Sequence, residues 1–239
     1  MKNTQTDIQI RNPVLEVVKI FLIADIMMVV LYVLDNLLGH PFSIVTRLVD
    51  LDGEANLPAW YSSSQILFLG LLFALFALIM RHHRPSPFLP AGALSLMCLG
   101  LSLDETAQIH EWIGNQSDKL LTTGTRKDFL FGHTGIWMFL LGPFFMIAIT
   151  VLWRRFLPYL RGRSRVVRLY LSGFFTYVLS ALGIEILANF VSPNQADSVI
   201  QIICEEFGEM LGVTLLIWAT LELLASYDIH IQVGDHRIT

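Results

Sequence analysis

The sequence predicts an all-α polytopic membrane protein: a six-transmembrane-helix bundle, a single domain over residues 1–239, with both termini cytoplasmic. Composition is the first observation behind this. Of 239 residues, 54% are hydrophobic and only 15% charged, with a mean hydropathy of +0.59, well outside a soluble domain. The second is length. Six apolar stretches, near 14–39, 59–80, 88–113, 134–156, 166–191 and 197–225, each reach the roughly 20 residues that a bilayer crossing needs. The third is charge placement. Lys2, Arg11, Lys19, Arg81, Arg84, Arg154, Arg155, Arg161, Arg163, Arg165, Arg168 and Arg237 fall at one set of span ends, against Arg47, Lys119, Arg126 and Lys127 at the other. Positive charge is retained in the cytoplasm, which orients the chain in a bacterial inner membrane. The net charge of −4 decides nothing, because distribution outweighs the sum here.

The polar start, Met1 to Asn12, is neither a cleavable signal nor a transit peptide, so the first span reads as a signal anchor. That span carries Asp25 near its middle, with Asp35 and His40 expected at the interface. The outer loop after it contains Asp50-Leu51-Asp52-Gly53-Glu54. This segment lacks the full spacing of an EF-hand calcium loop and reads equally as an interfacial cover. Trp60 and Tyr61 open the second span, and with Trp112 and Trp137 they have the placement of interfacial aromatics. The turn Arg81-His82-His83-Arg84-Pro85 reads as a solvated cytoplasmic loop.

On the third span, Gly100, Asp104, Gln108 and Glu111 share one helical stripe, with Glu105 and His110 on opposite flanks. His133 opens the fourth span, and Glu185 and Asn189 lie in the last two turns of the fifth. The sixth carries a stripe of Gln201, Glu205, Gly208, Glu209 and Gly212, with Glu206 beside it and Glu222 as a snorkelling acid near the inner end. Gly208 and Gly212 form a GxxxG, read as helix packing. Cys98 and Cys204 lie within spans and are expected as reduced packing residues rather than a disulfide.

The acids carry the functional signal. Asp104, Glu105, Glu111, Glu185, Glu205, Glu206 and Glu209 all fall in the outer part of their spans, where no lysine or arginine lies. Each ionised carboxylate there costs about 2.5–3.5 kcal/mol even on the lenient insertion scale. Protons, metal ions or the nearby His110 and His133 must neutralise them. The first expectation is therefore a divalent metal site (Zn, Mn or Fe) built from Asp104, Glu105, His110, Glu111, His133, Glu185, Glu205, Glu206 and Glu209. Such a site would serve a metal-dependent enzyme acting on a small or lipid-like substrate. No Glu-x-x-His pair and no His-Glu-x-x-His motif fixes the ligand set. Two other readings stand beside it: an accessory subunit of a larger membrane complex, and a proton or cation transporter whose path Asp25 would extend inward. The expected partners are the lipid bilayer and other membrane subunits or a second copy. Nothing supports nucleic acid.

Three segments carry a likeness: Ser102-Leu103-Asp104-Glu105 with His110-Glu111, Glu205-Glu206-Phe207-Gly208-Glu209-Met210-Leu211-Gly212, and the run from Asp52 to Ser62. The chain resembles a group of uncharacterised bacterial multi-pass membrane proteins over most of its length. The resemblance implies the membrane architecture and brings no known activity.

Overall fold

The computed structural model describes residues 11–81, 86–109, 112, 113, 116, 137–188 and 195–227. Among them every regular element is helical, and six helices are long and apolar enough to cross a membrane. This is the architecture of a multi-pass membrane protein.

Helix α1 (Arg11–Leu37) contributes the span Pro13–Leu37, about 37 Å long at 1.5 Å per residue. It ends in a Schellman turn. The His40 amide donates to the Asp35 carbonyl at 3.0 Å and the Gly39 amide to the Asn36 carbonyl at 3.1 Å, with Gly39 at φ 71°. That left-handed position is the one glycine fills without steric cost. Asp35 lies two residues before the end of that span, as expected of an interfacial acid, but it does not face solvent. It is buried, held by His40 Nδ1 at 2.7 Å and by the Thr46 hydroxyl at 3.1 Å. Thr46 belongs to a short helix, α2 (Ser43–Val49), so this acid ties the end of α1 to the following loop.

Helix α3 (Leu57–Ile79) starts on Asn56, whose side chain accepts from the Ala59 amide. The Asn56 amide also donates to the Asp50 carbonyl at 2.6 Å, closing the 50–56 loop onto the helix start. Helix α4 (Phe88–Ala107) lies antiparallel on α3. Its buried face is Ala91, Leu94, Ser95, Cys98 and Ser102, and the α3 residue opposite is Gly70, where an added Cβ would stand 3.1 Å from Cys98 Cβ. Ser63 and Ser102 exchange hydrogen bonds at 2.8–2.9 Å, and Thr106 joins them at 2.9 Å. Small and hydroxylated residues bring the helices close, as lipid-embedded packing favours. Cys98 is thus the packing residue expected, whereas Cys204 is exposed; both are free thiols.

Helix α5 (Trp137–Phe156) continues through a 3₁₀ turn, Leu157–Leu160. Helix α6 (Ser164–Val178) passes into a π-helical turn, Leu179–Ile184, and then α7 (Glu185–Ala188). The last helix, α8 (Gln195–Ala225), packs on α6 most of all, and also on α1 and α3. The α6–α8 crossing is made by glycines. A Cβ on Gly173 would meet the Gly212 carbonyl at 2.8 Å, and one on Gly212 would meet the Tyr177 amide nitrogen at 2.7 Å. Gly208 lies under Ser180 of the π turn. The GxxxG is therefore a packing motif.

At the opposite end, Phe156 is fully buried, with its ring edge-on to Phe73, Phe76 and Tyr170. Glu222, three residues before the end of its span, has protein partners. It accepts from Arg165 at 3.1 Å and from the Trp218 indole at 3.2 Å. A half-exposed pair of this kind contributes at most about 1 kcal/mol. His82 and His83 lie outside the described residues.

Candidate functional site

Helix α4 ends at Ala107 because Gln108 turns left-handed at φ 53°. The predicted stripe from Gly100 to Glu111 assumed a helix running to residue 113, and the break removes that register. The phase differs as well. At 100° per residue, Gly100 and Asp104 lie roughly 140–180° from the face that packs on α3, and Gly100 is exposed with open space around it. Glu105 is the acid that continues the packed face beyond Cys98 and Ser102. Both Asp104 and Glu105 are half-buried.

One acid of α8, Glu206, lies within electrostatic reach of Glu105. Glu206, half-buried on α8, interacts electrostatically with Glu105 of α4, with its neighbour Glu205, and with Asp52 and Glu54 of the 50–56 loop. From α6, Tyr177 lies in the field of Glu209, Glu105 and Glu206. Three helices and one loop therefore deliver charge or a phenol to one region. Of the predicted site residues, Glu105, Glu205, Glu206 and Glu209 come together there. Glu185 begins α7 directly after the π turn, and single π turns inside helices are frequent at functional sites. His110, Glu111 and His133 lie outside the described residues. Among the described residues, no group of three His, Cys, Asp or Glu is placed to hold one metal ion.

The family model described as "Domain of unknown function (DUF8692)" matches residues 21–224. The chain belongs to this family. Neither a curated protein nor a solved structure matches it. The matched stretch of this DUF8692 member contains every acid of the described cluster, from Asp52 to Glu209.

Sequence reasoning missed Tyr177, and it weighed the segment of Asp52 and Glu54 only as an incomplete calcium loop or an interfacial cover. Asn56 folds the loop of Asp52 and Glu54 onto the start of α3. Asp25 was expected to extend the acidic cluster inward, and it does not join it directly. Its partners are Tyr61, Gln65 and Thr214, so Tyr61 is no interfacial aromatic either. Met28, Tyr32, Leu51 and Met210 form a buried apolar cluster on the same faces of α1 and α8. On α8, Met210 stands one turn from Glu206 on one side and one turn from Thr214 on the other. A separate apolar cavity of about 260 Å³, lined among others by Leu94, Ile149, Trp153 and Phe174, contains no carboxylate in its wall.

Proposed function

We propose that this protein binds small divalent cations through the carboxylates gathered at the acidic end of its helix bundle. The convergence of Glu105, Glu205 and Glu206 with Asp52 and Glu54 supports this reading. Carboxylates brought together in a poorly solvated region repel one another, and an arriving cation relieves that repulsion. All-oxygen donors suit a hard ion such as Mn²⁺ rather than a thiolate-bound metal. A metal-dependent reaction on a lipid-like substrate would need further groups, and His110, Glu111 and His133 are the sequence's candidates for them. The test is Mn²⁺ titration of the purified protein in nanodiscs, followed by electron paramagnetic resonance. The wild type should bind Mn²⁺, and Glu206→Gln should weaken it at least tenfold. Equal binding by both proteins, or none by the wild type, would refute the proposal.

In the orientation we infer, the acidic end faces the periplasm. The arginines of the described basic end, Arg81, Arg154, Arg155, Arg161, Arg163, Arg165 and Arg168, support this through the positive-inside rule. Reporter fusions after residue 50 should read as external and those after residue 160 as cytoplasmic. The reverse pattern would invert the site.

A further inference from the structure

Asp25 lies at the centre of the span Pro13–Leu37 and has no exposed surface. Among the described residues, every hydrogen bond it receives comes from a neutral group. The Tyr61 hydroxyl lies 2.6 Å from Oδ1, Gln65 Nε2 donates to the same oxygen at 2.8 Å, and the Thr214 hydroxyl donates to Oδ2 at 2.8 Å. Tyr61 is the titratable group facing it from α3. From α8 it faces Thr214, while Glu206 interacts with Glu105, Glu205, Asp52 and Glu54 instead. On α1 itself, Lys19 and Glu16 pair with each other at 2.7 Å, and Asp35 is held by His40 and Thr46. Among the described residues no lysine, arginine or histidine forms an ion pair with Asp25.

The hydrogen inventory around this carboxyl closes in two ways. Tyr61 has one hydroxyl hydrogen and two acceptors in range, Asp25 Oδ1 at 2.6 Å and the Phe21 carbonyl at 3.0 Å. With Asp25 ionised, that hydrogen points to Oδ1. With a proton on Oδ1, Asp25 donates to the Tyr61 oxygen and Tyr61 turns its hydrogen to Phe21. Thr214 and Gln65 keep their bonds in both states, and no heavy atom moves. Gln65 supplies a second feature. Its side chain is fully buried, Nε2 is shared among Asp25, Tyr61 and Thr214, and Oε1 accepts no hydrogen bond from the described residues. An open acceptor beside the carboxyl can take a hydrogen bond from a donor such as water or hydronium.

We propose that Asp25, with Tyr61, Gln65 and Thr214, is a reversible proton-binding site in the middle of the bundle. A hydronium ion gives its proton to Oδ1 and leaves as water; the reverse step returns the proton to water. The site uses none of the carboxylates assigned to cation binding, and Met28, Tyr32, Leu51 and Met210 form the apolar layer between the two.

Infrared difference spectroscopy of aspartate-¹³C-labelled protein in nanodiscs, with pH stepped in sodium-free buffer, tests this. The expected result is a protonated-carboxyl band that disappears reversibly on alkalinisation and is lost in Asp25→Asn. Asp25→Glu, which removes the ¹³C label from that position, keeps the test open if the asparagine variant fails to fold. Tyr61→Phe should retain the band but change the pH at which it vanishes. A band that ignores pH throughout the folded range overturns the proposal. So does one that persists in a folded Asp25→Asn protein, or one abolished by Na⁺ at constant pH, which would make the ligand a metal cation.

Discussion

Alanine at position 212 should lower the unfolding free energy by about 1–3 kcal/mol, the usual range for forcing atoms into a filled interface. The new Cβ would stand 2.7 Å from the Tyr177 amide nitrogen and 2.9 Å from its Cα. Those are backbone atoms, and they cannot rotate aside as the end of a side chain can. Helix α6 would have to withdraw along the crossing, which also involves Gly173 and the contact of Ser180 with Gly208. Thermal unfolding in detergent measures the effect. Gly92→Ala is the matched control, since nothing lies within 4 Å of a Cβ there and alanine is the better helix former. A Gly212→Ala protein as stable as that control would show that the crossing is looser than described.

Phe156→Ala should be the most destabilising truncation at the basic end. The ring is fully buried and meets three others edge-on, with centroids 5.9 Å from Phe73 and Phe76 and 6.1 Å from Tyr170. Such truncations cost roughly 3–5 kcal/mol in water-soluble cores. Within a bilayer the transfer contribution shrinks, because lipid solvates the unpacked chain as well. The lost contacts alone lead us to expect about 2–3 kcal/mol. Unfolding by titrated denaturing detergent, with Phe175→Ala on the exposed side of α6 as the control, would decide it. Equal losses in the two variants would show that the aromatic cluster is not a packed core.

The spans were legible because hydropathy is a local sum, and length and composition fix it without knowledge of neighbours. The acids were legible for a similar reason, since a carboxylate in a span is costly wherever its helix faces. Facing itself was not legible. The sequence offered Gly100 and Asp104 as a polar stripe, but α4 turns its Ala91, Ser95, Cys98 and Ser102 face to α3, where Gly70 leaves room. That choice depends on the shape of a partner helix, and it selects Glu105. The end of α4 was hidden too, because Gln108 takes the left-handed cap where glycine would have announced it. The partners of Asp35 and Glu222, Thr46 and Arg165, were hidden because they are 11 and 57 residues away. Tyr61 follows Trp60 at a span start and so read as part of an aromatic belt; its bond to Asp25 exists only once α1 and α3 have met.

The Asp25–Thr214 bond joins residues 189 positions apart in the chain. Synthesis runs from the N-terminus, so α1 enters the membrane long before its last hydrogen-bond donor exists. Tyr61 and Gln65 arrive 36 and 40 residues later, soon enough for α1 to be held against α3 while the ribosome is still at work. The serines of the α3–α4 seam differ in this respect: Ser63 and Ser102, 39 residues apart, satisfy one another within a single hairpin. The carboxyl at the centre of α1 gains its bond from Thr214 only after α8 has been made, so the packing of α1 is finished later than that of the α3–α4 hairpin.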